Sequence, residues 1–513
     1  MKNTTYHDTR GLDASPRTFP EVVVRGIAPG GGLYVPDELP LLTLDEIMEF
    51  SAWPYWKRAA AVFSRFGVDV PSERIDELMQ EAYGSQWDDE RIAPIEEVVP
   101  GTWVLELWHG PTSAFKDMAL QCMPPFFSES VESLRAQGLE DRDHLILVAT
   151  SGDTGKAALE GFADRAHTSI IVFYPADGVS DIQRKQMVTQ HGDNVGVFGV
   201  RGNFDDCQNA VKAAFADPVF ADELDREHSL RLSSANSINW GRLMPQIAYY
   251  ISAYADMVAA GGVQPGGPID VCVPTGNFGN ILGAYYAKQM GIPIGRMIIA
   301  SNENRVLTDF VATGVYDISD RRFVTTPSPS MDILISSNLE RLLYEMTHDS
   351  GTVGGWMADL AARGRFQVDP VTFRRIRELF SADYVSNDES LHTVREVHAE
   401  TSYLIDPHTA VAWEVAERLR ERDPVLVVST AHWAKFGSDV YKALAGIPYD
   451  ETLPDGIREL SGVELLAQVQ ELAEGNTTVP RALADLDDLP ERFTNVVEAG
   501  REGIENAVRR WLG

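Results

Sequence analysis

Between residues 102 and 310, short apolar runs alternate with helix-patterned segments, and this alternation restricts the fold more than any other property of the chain. The runs are Trp103–Leu107, Leu145–Ala149, Ser169–Tyr174, Asn194–Val200, Ile269–Val273 and Arg296–Ala300. Helices are expected at Gly155–Arg165, Asp181–Thr189, Phe204–Ala216, Trp240–Ala260 and Asn280–Met290. Runs that are apolar on both faces, each followed by a helix, predict an α/β fold with parallel sheets flanked by helices. Pro245 falls early in the Trp240–Ala260 pattern, so that helix is expected to start or bend there.

The flanks differ from this middle. Residues 1–95 are rich in aromatics, with helical patterns at Leu44–Ser51 and Ser72–Tyr83, and read as an N-terminal cap domain. Residues 96–310 form the expected α/β core. Residues 311–400 lose the strand signal and read as a mostly helical insertion, with patterns at Leu339–Met346, Met357–Ala362 and Val371–Phe380. A strand signal returns at Pro424–Thr430, so residues 401–450 are expected to rejoin the core. Residues 451–513 form an acidic extension closing with a helix at Asn495–Leu512.

At 513 residues the chain can bury several cores. Its formal charge of −32 argues against nucleic acid or an anionic membrane as partner. An anionic small-molecule substrate must then be held by a local basic pocket. Cys122, Cys207 and Cys272 are scattered without a Cys-x-x-Cys pair, which fits a reducing cytoplasm and no metal site. The N-terminus lacks an apolar signal region, and no apolar stretch reaches the ~20 residues of a membrane span.

Five segments carry candidate chemistry. Gly276, Asn277, Phe278, Gly279 and Asn280 lie between an expected strand and an expected helix. Glycines at such a turn let the backbone approach a ligand, and the free N–H groups of a helix start attract an anion. A plain strand–helix connection would use the same residues. His109-Gly110-Pro111-Thr112-Ser113-Ala114-Phe115-Lys116-Asp117 places a lysine beside Phe115, Met118, Ala119 and Leu120. Apolar surroundings lower an amine's pKa and make it a competent nucleophile, base or Schiff-base former, whereas an ordinary lysine is a solvated surface charge. Thr150-Ser151-Gly152-Asp153-Thr154-Gly155-Lys156 imitates a nucleotide-binding loop, but Thr150 stands where glycine is needed and Ala157 where Ser or Thr is needed. What remains is a hydroxyl-rich turn suited to an anion or to simple helix capping. The run from Ser234 to Arg242 offers Asn236 and an arginine that can fork onto a phosphate. After the late strand, Thr430 sits where ligands bind in parallel sheets, and His432 reads as a structural histidine rather than a catalytic one.

Taken together, these motifs resemble threonine synthases, pyridoxal-phosphate enzymes of the tryptophan-synthase-β fold type, also called fold type II. The similarity runs from Thr9-Arg10-Gly11 and Gly30-Gly31-Gly32-Leu33-Tyr34-Val35-Pro36 through the Lys116, Ser151–Gly155 and Gly276–Asn280 motifs to Ser429-Thr430-Ala431-His432, in family order. The resemblance implies that Lys116 is the catalytic lysine that binds pyridoxal 5'-phosphate covalently. It implies that Gly276–Asn280 cradle the cofactor phosphate and that the Thr430 hydroxyl faces the pyridine nitrogen. Ser151, Thr154, Asn236 and Arg242 fall near the expected site of the substrate's phosphate. Asp153 stands where related enzymes often carry an asparagine near the cofactor's ring oxygen, which leaves its role open. Trp433 replaces a proline usual in the family.

The reaction implied converts O-phospho-L-homoserine and water into L-threonine and phosphate, by γ-elimination and β-addition of water, in a cytoplasmic monomer or homodimer. It needs two anion sites, one permanent and one for the leaving phosphate, and a lid or domain closure to exclude water. Three rivals stand beside it: a threonine/serine dehydratase or phospho-lyase of the same fold, an ATP-binding protein using Ser151–Lys156, and a catalytically silent binding module.

Overall fold

The computed structural model describes residues 4–422, 424–475 and 477–513. Two sheets organise it. The larger has six strands in the order Phe380–Tyr384, Ile294–Ser301, Ile269–Pro274, Val425–Ser429, Thr102–Glu106 and Ile95–Val99. Its neighbours are parallel except for the last pair, an antiparallel hairpin. The smaller sheet has five parallel strands in the order Val496–Glu498, Val195–Arg201, Thr168–Pro175, Asp143–Ala149 and Leu230–Ser233.

The expected parallel α/β architecture is therefore present, and the physical reason shows in the central strands. Every residue of Ile269–Pro274 is buried. Val271 and Val273 join one apolar core, while Cys272 joins another with Val411, Ala412 and Val415 of helix Pro407–Leu419. Successive side chains of a strand point to opposite faces, so a strand buried on both is apolar at nearly every position; the exception here, Asp270, accepts from Arg296 N–H at 2.7 Å and pairs with Arg422 at 3.5 Å. The predicted break at Pro245 is real. A short helix Trp240–Leu243 ends there, and Pro245 opens helix Pro245–Ala259 at its first position, where a missing N–H costs nothing.

The region 311–400 corrects the sequence reading. It contains strand Phe380–Tyr384, which pairs parallel to Met297–Ser301 at the edge of the larger sheet, and an antiparallel pair, Val315–Asp317 with Arg365–Gln367. An edge strand is half exposed and tolerates polar residues, so Ser381 and Asp383 hid it. At the C-terminus, the expected helix from Asn495 begins only at Arg501, because Val496–Glu498 first pairs with Gly199–Arg201.

The N-terminal segment is fastened to the core next to the site. Tyr6–Asp8 pairs with Tyr34–Pro36. Arg10 then grips Glu340 of helix Leu339–Thr347 through two bonds of 2.9 and 2.8 Å, and Thr9 adds a third at 2.7 Å. Among the described residues no helix is long and apolar enough to cross a membrane.

Candidate active site

The carboxyl ends of strands Thr102–Glu106, Asp143–Ala149, Ile269–Pro274 and Val425–Ser429 lead directly into four of the segments singled out above, and that of Leu230–Ser233 leads into the fifth. This is where parallel sheets bind ligands.

Lys116 is presented by a clamped loop. Asp117 accepts from the Thr112 N–H at 2.8 Å and the Thr112 hydroxyl at 2.6 Å, closing the turn. Gly110 is required there because a Cβ would lie 2.5 Å from the Asp117 side chain. The loop is stitched to the last core strand and the residues after it. Leu107 N–H donates to the Ser429 carbonyl at 3.0 Å, Phe115 N–H to the Thr430 carbonyl at 2.7 Å, and His432 N–H to the Ser113 carbonyl at 3.1 Å. Thr430 is thereby fixed beside Lys116, and its hydroxyl has no protein partner among the described residues.

The Lys116 amine is buried. It donates to Ser330 Oγ at 2.9 Å and Asp153 Oδ2 at 3.3 Å. Burial pushes its pKa below the usual lysine value; Asp153 opposes the fall, while Arg242 and Lys435 add to it. Asp153 also accepts from Lys435 at 2.9 Å and from Gln183 Nε2 at 2.9 Å. Burial works against its charge, but Lys435 and Lys116 outweigh burial and hold the carboxyl well below the usual carboxylate range.

The Gly276–Asn280 loop is built to receive an anion. Its carbonyls are engaged away from the site. Gly276 O accepts from the Ser336 hydroxyl at 2.7 Å, and Asn277 O from Asn338 N and Nδ2, both at 3.1 Å. None of the five backbone N–H groups donates to a protein acceptor among the described residues. Phe278 holds a left-handed backbone, φ 64°, at a cost of roughly 1–2 kcal/mol for a residue with a side chain. Its ring is buried 5.8 Å from Phe380, which offsets that strain. Asn280 accepts from the Tyr249 hydroxyl at 2.7 Å and from the Tyr250 hydroxyl, yet its own buried Nδ2 has no partner. Gly276 is half-buried and Asn277 exposed, but Phe278, Gly279 and Asn280 are buried, and donors on buried residues that lack an acceptor are destabilising unless a ligand completes them.

The remaining candidates have different settings. Arg242 is buried, donates to the Ala235 carbonyl at 2.9 Å, and has no carboxylate within ion-pair distance among the described residues. Burial pushes its pKa down to about 10. Ser151 and Thr154 are half-buried, and their hydroxyls are without protein partners among the described residues. Asn236 is exposed; the helix cap nearby is Asn239, which accepts from Gly241 N–H at 2.9 Å. The run 234–242 does meet the glycine loop, because Asn338 Nδ2 donates to both Ser237 Oγ at 3.2 Å and Asn277 O at 3.1 Å. His432 accepts from Ala434 N–H at 3.1 Å, and burial pushes its pKa down to about 3, as a neutral structural histidine requires. Lys156, the tempting nucleotide-loop lysine, is taken by Glu160 at 2.8 Å and by Gln190, which leaves it unavailable to a nucleotide phosphate.

Three residues at this centre were not assigned a role from the sequence. Lys435 lies inside a quoted motif but reads locally as a surface lysine. Gln183 reads as the capping partner of Ser180. Ser330 comes from residues 318–338, which carry only a single turn of helix, Pro329–Met331. Its N–H donates to His408 Nε2 at 3.1 Å, and His408 is held by Asp406 at 2.6 Å. Only contact across more than 200 residues brings it to Lys116.

A buried amine beside a cradle of unpartnered N–H groups suits an aldehyde that carries a phosphate. Comparison with known proteins agrees. The family model for pyridoxal-phosphate dependent enzymes matches residues 91–431, those for the N terminus and C-terminal region of threonine synthase match 5–83 and 409–508. The protein is thus a member of the pyridoxal-phosphate dependent enzymes. A threonine synthase of Pseudomonas aeruginosa is 37% identical, covering 96% of this chain and 98% of its own. A human protein named threonine synthase-like 1 is 41% identical over 89% of this chain, which spans 62% of that relative's length. The pyridoxal-phosphate-bound threonine synthase structure from Brucella melitensis superposes with a TM-score of 0.85 at 35% identity, covering 99% of each chain. The chain belongs to the threonine synthase family.

The residues present fit the cofactor on structural grounds of their own. The free N–H row and the orphaned Asn280 Nδ2 offer donors for a phosphate. Gly276 lets the backbone of Ser330 pack against this loop, since a Cβ there would lie 2.9 Å from the Ser330 carbonyl, and so ties the loop to a partner of Lys116.

Proposed function

We propose that the protein converts O-phospho-L-homoserine and water into L-threonine and phosphate. The observation that carries this reading is the presence of two separate anion-receptive places around one buried lysine. Gly276–Asn280 would hold the cofactor phosphate and Thr430 its ring nitrogen. Arg242, with Ser151, Thr154 and Asn236, would hold the phosphate that leaves. A site for a simple amino acid would have no use for a buried, unpaired Arg242.

When bound, pyridoxal phosphate supplies a conjugated electron sink for the charge left at the substrate's α-carbon. Lys116 binds it covalently and, once displaced by the substrate amine, acts as the base. Burial lowers its pKa, which favours the free amine that takes the α-proton. The Asp153 carboxylate, 3.3 Å away, can steady the ammonium that results. A β-proton would be lost next and phosphate would depart from the γ-carbon toward Arg242; a proton returned to the γ-carbon makes the methyl group, water adds its hydroxyl at the β-carbon, and the α-carbon regains a proton. Residues 318–338 help exclude bulk water, with Asp332 pinned by Asn302 at 2.8 Å, Asn304 at 2.9 Å and Thr326 at 2.7 Å. The −32 charge and the three buried free cysteines support a cytoplasmic enzyme, monomer or homodimer, whose partner is a small molecule.

A second reading is elimination without water addition at the β-carbon, releasing phosphate, 2-oxobutyrate and ammonia once water hydrolyses the product imine. Incubation with O-phospho-L-homoserine separates the two. Phosphate and threonine in equal amounts support the synthase; phosphate with 2-oxobutyrate supports the lyase; no phosphate release contradicts both.

A further inference from the structure

Asp153 is a fully engaged buried carboxylate, and the arrangement of its donors is asymmetric. Oδ1 accepts from Lys435 Nζ and Gln183 Nε2, both at 2.9 Å. Oδ2 accepts from Lys116 Nζ at 3.3 Å and Ser330 Oγ at 3.0 Å. A carboxylate has about four lone-pair positions, and here all are used. One oxygen faces fixed partners and the other faces the reacting lysine. Lys435 has no exposed surface, and its ammonium is further pinned by the Thr112 carbonyl at 2.8 Å, on the same loop that presents Lys116. Gln183 is pinned in turn by the Ser180 N–H at 3.2 Å.

We propose that Lys435 is a positioning residue for the reaction: by pairing with Asp153 Oδ1 it keeps Oδ2 charged and aimed at the Lys116 nitrogen. The inference rests on the reading of Lys116 as the cofactor-binding lysine. A buried carboxylate whose only cation were Lys116 would be left unpaired at each stage when that nitrogen is uncharged. Burial would then drive it to take up a proton. With Lys435 in place, one compensating charge stays whatever Lys116 does. Lys435 also competes for the carboxylate and repels a proton on Lys116, so it holds the lysine's proton affinity down. The other charged or titratable groups around the pair are Arg242 from helix Trp240–Leu243, Asp117 on the Lys116 loop, the Lys156–Glu160 pair on the helix of Asp153, and His408 behind Ser330. None of them lies within ion-pair distance of Asp153 among the described residues.

The test is a pH titration of the visible absorption of the cofactor-bound protein, in Lys435→Met and Lys435→Gln, each made with Asp153 and with Asp153→Asn. Lys435→Gln keeps a donor for the Thr112 carbonyl. With Asp153 present, the titration midpoint is expected to rise by about one pH unit, a tenfold gain in proton affinity. In the Asp153→Asn background the shift is expected to shrink to below about a third of that. A Lys435 single variant that folds only once Asp153 is also neutralised supports the same coupling. An unmoved midpoint in a folded Lys435 variant, equal shifts in both backgrounds, or misfolding in both backgrounds overturns the inference. Absence of visible absorption in the unsubstituted protein would instead overturn the reading of Lys116.

Discussion

Replacing Arg242 by methionine should stabilise the cofactor-loaded protein while weakening its hold on substrate. The guanidinium is buried without a carboxylate partner among the described residues, and burial pushes its pKa down from the usual arginine value to about 10. At ~1.4 kcal/mol per tenfold, the charge costs the folded state roughly 3 kcal/mol. Because the folded pKa is depressed and lies above neutrality, that cost is fully present at pH 7. Methionine fills much of the same space, and the lost bond to the Ala235 carbonyl returns about 1 kcal/mol of the gain. A net gain of about 2 kcal/mol should raise the thermal midpoint by about 2 °C or more. A charge-assisted bond to the departing phosphate is worth about 1.5–3 kcal/mol, so kcat/KM for phosphohomoserine should fall roughly 10- to 150-fold. Cofactor affinity should change little. Calorimetry without substrate, steady-state kinetics and cofactor titration read the three effects. A fall in thermal stability together with equal loss of substrate and cofactor binding would show that Arg242 is structural and refute the reasoning.

Two other perturbations are set by local geometry. His109 sits between Asp88 at 2.5 Å and Glu106 at 2.7 Å; burial opposes its charge, but the two carboxylates outweigh burial and raise its pKa to about 9. Its contribution, up to about 3 kcal/mol, is full below pH 6.5 and is lost as pH rises toward 9, so His109→Gln should flatten the fall of the thermal midpoint over that interval; an unchanged slope would contradict this. Gly276→Ala sets a methyl 2.9 Å from the Ser330 carbonyl and 3.3 Å from the Met331 Cα, and at about 1–3 kcal/mol for such crowding should weaken cofactor binding tenfold or more; unaltered affinity by fluorescence titration would place Ser330 elsewhere in solution.

The parallel core was legible because its strands are buried on both faces and are therefore apolar at nearly every position, as in Ile269–Pro274, where only Asp270 breaks the run. Edge strands escape that demand, which is why Phe380–Tyr384 passed for part of a helical region. Residues 110–117 and 276–280 were legible because their chemistry is local, a clamp or a turn read within nine residues. The partners of Lys116 were not. Asp153, Lys435 and Ser330 stand 37, 319 and 214 positions away from it, and no local pattern tells a buried lysine at 435 from a solvated one. The carboxylate at 153 made no sense alone. It becomes intelligible once two lysines are seen to share it.

The central claim is that the buried amine of Lys116 carries the cofactor. Borohydride reduction of the purified, pyridoxal-phosphate-loaded protein, followed by peptide mapping, tests it most directly. The account predicts loss of the visible band and a single modified peptide bearing the reduced cofactor on Lys116. A label on another lysine, Lys435 included, or no label at all, would contradict it.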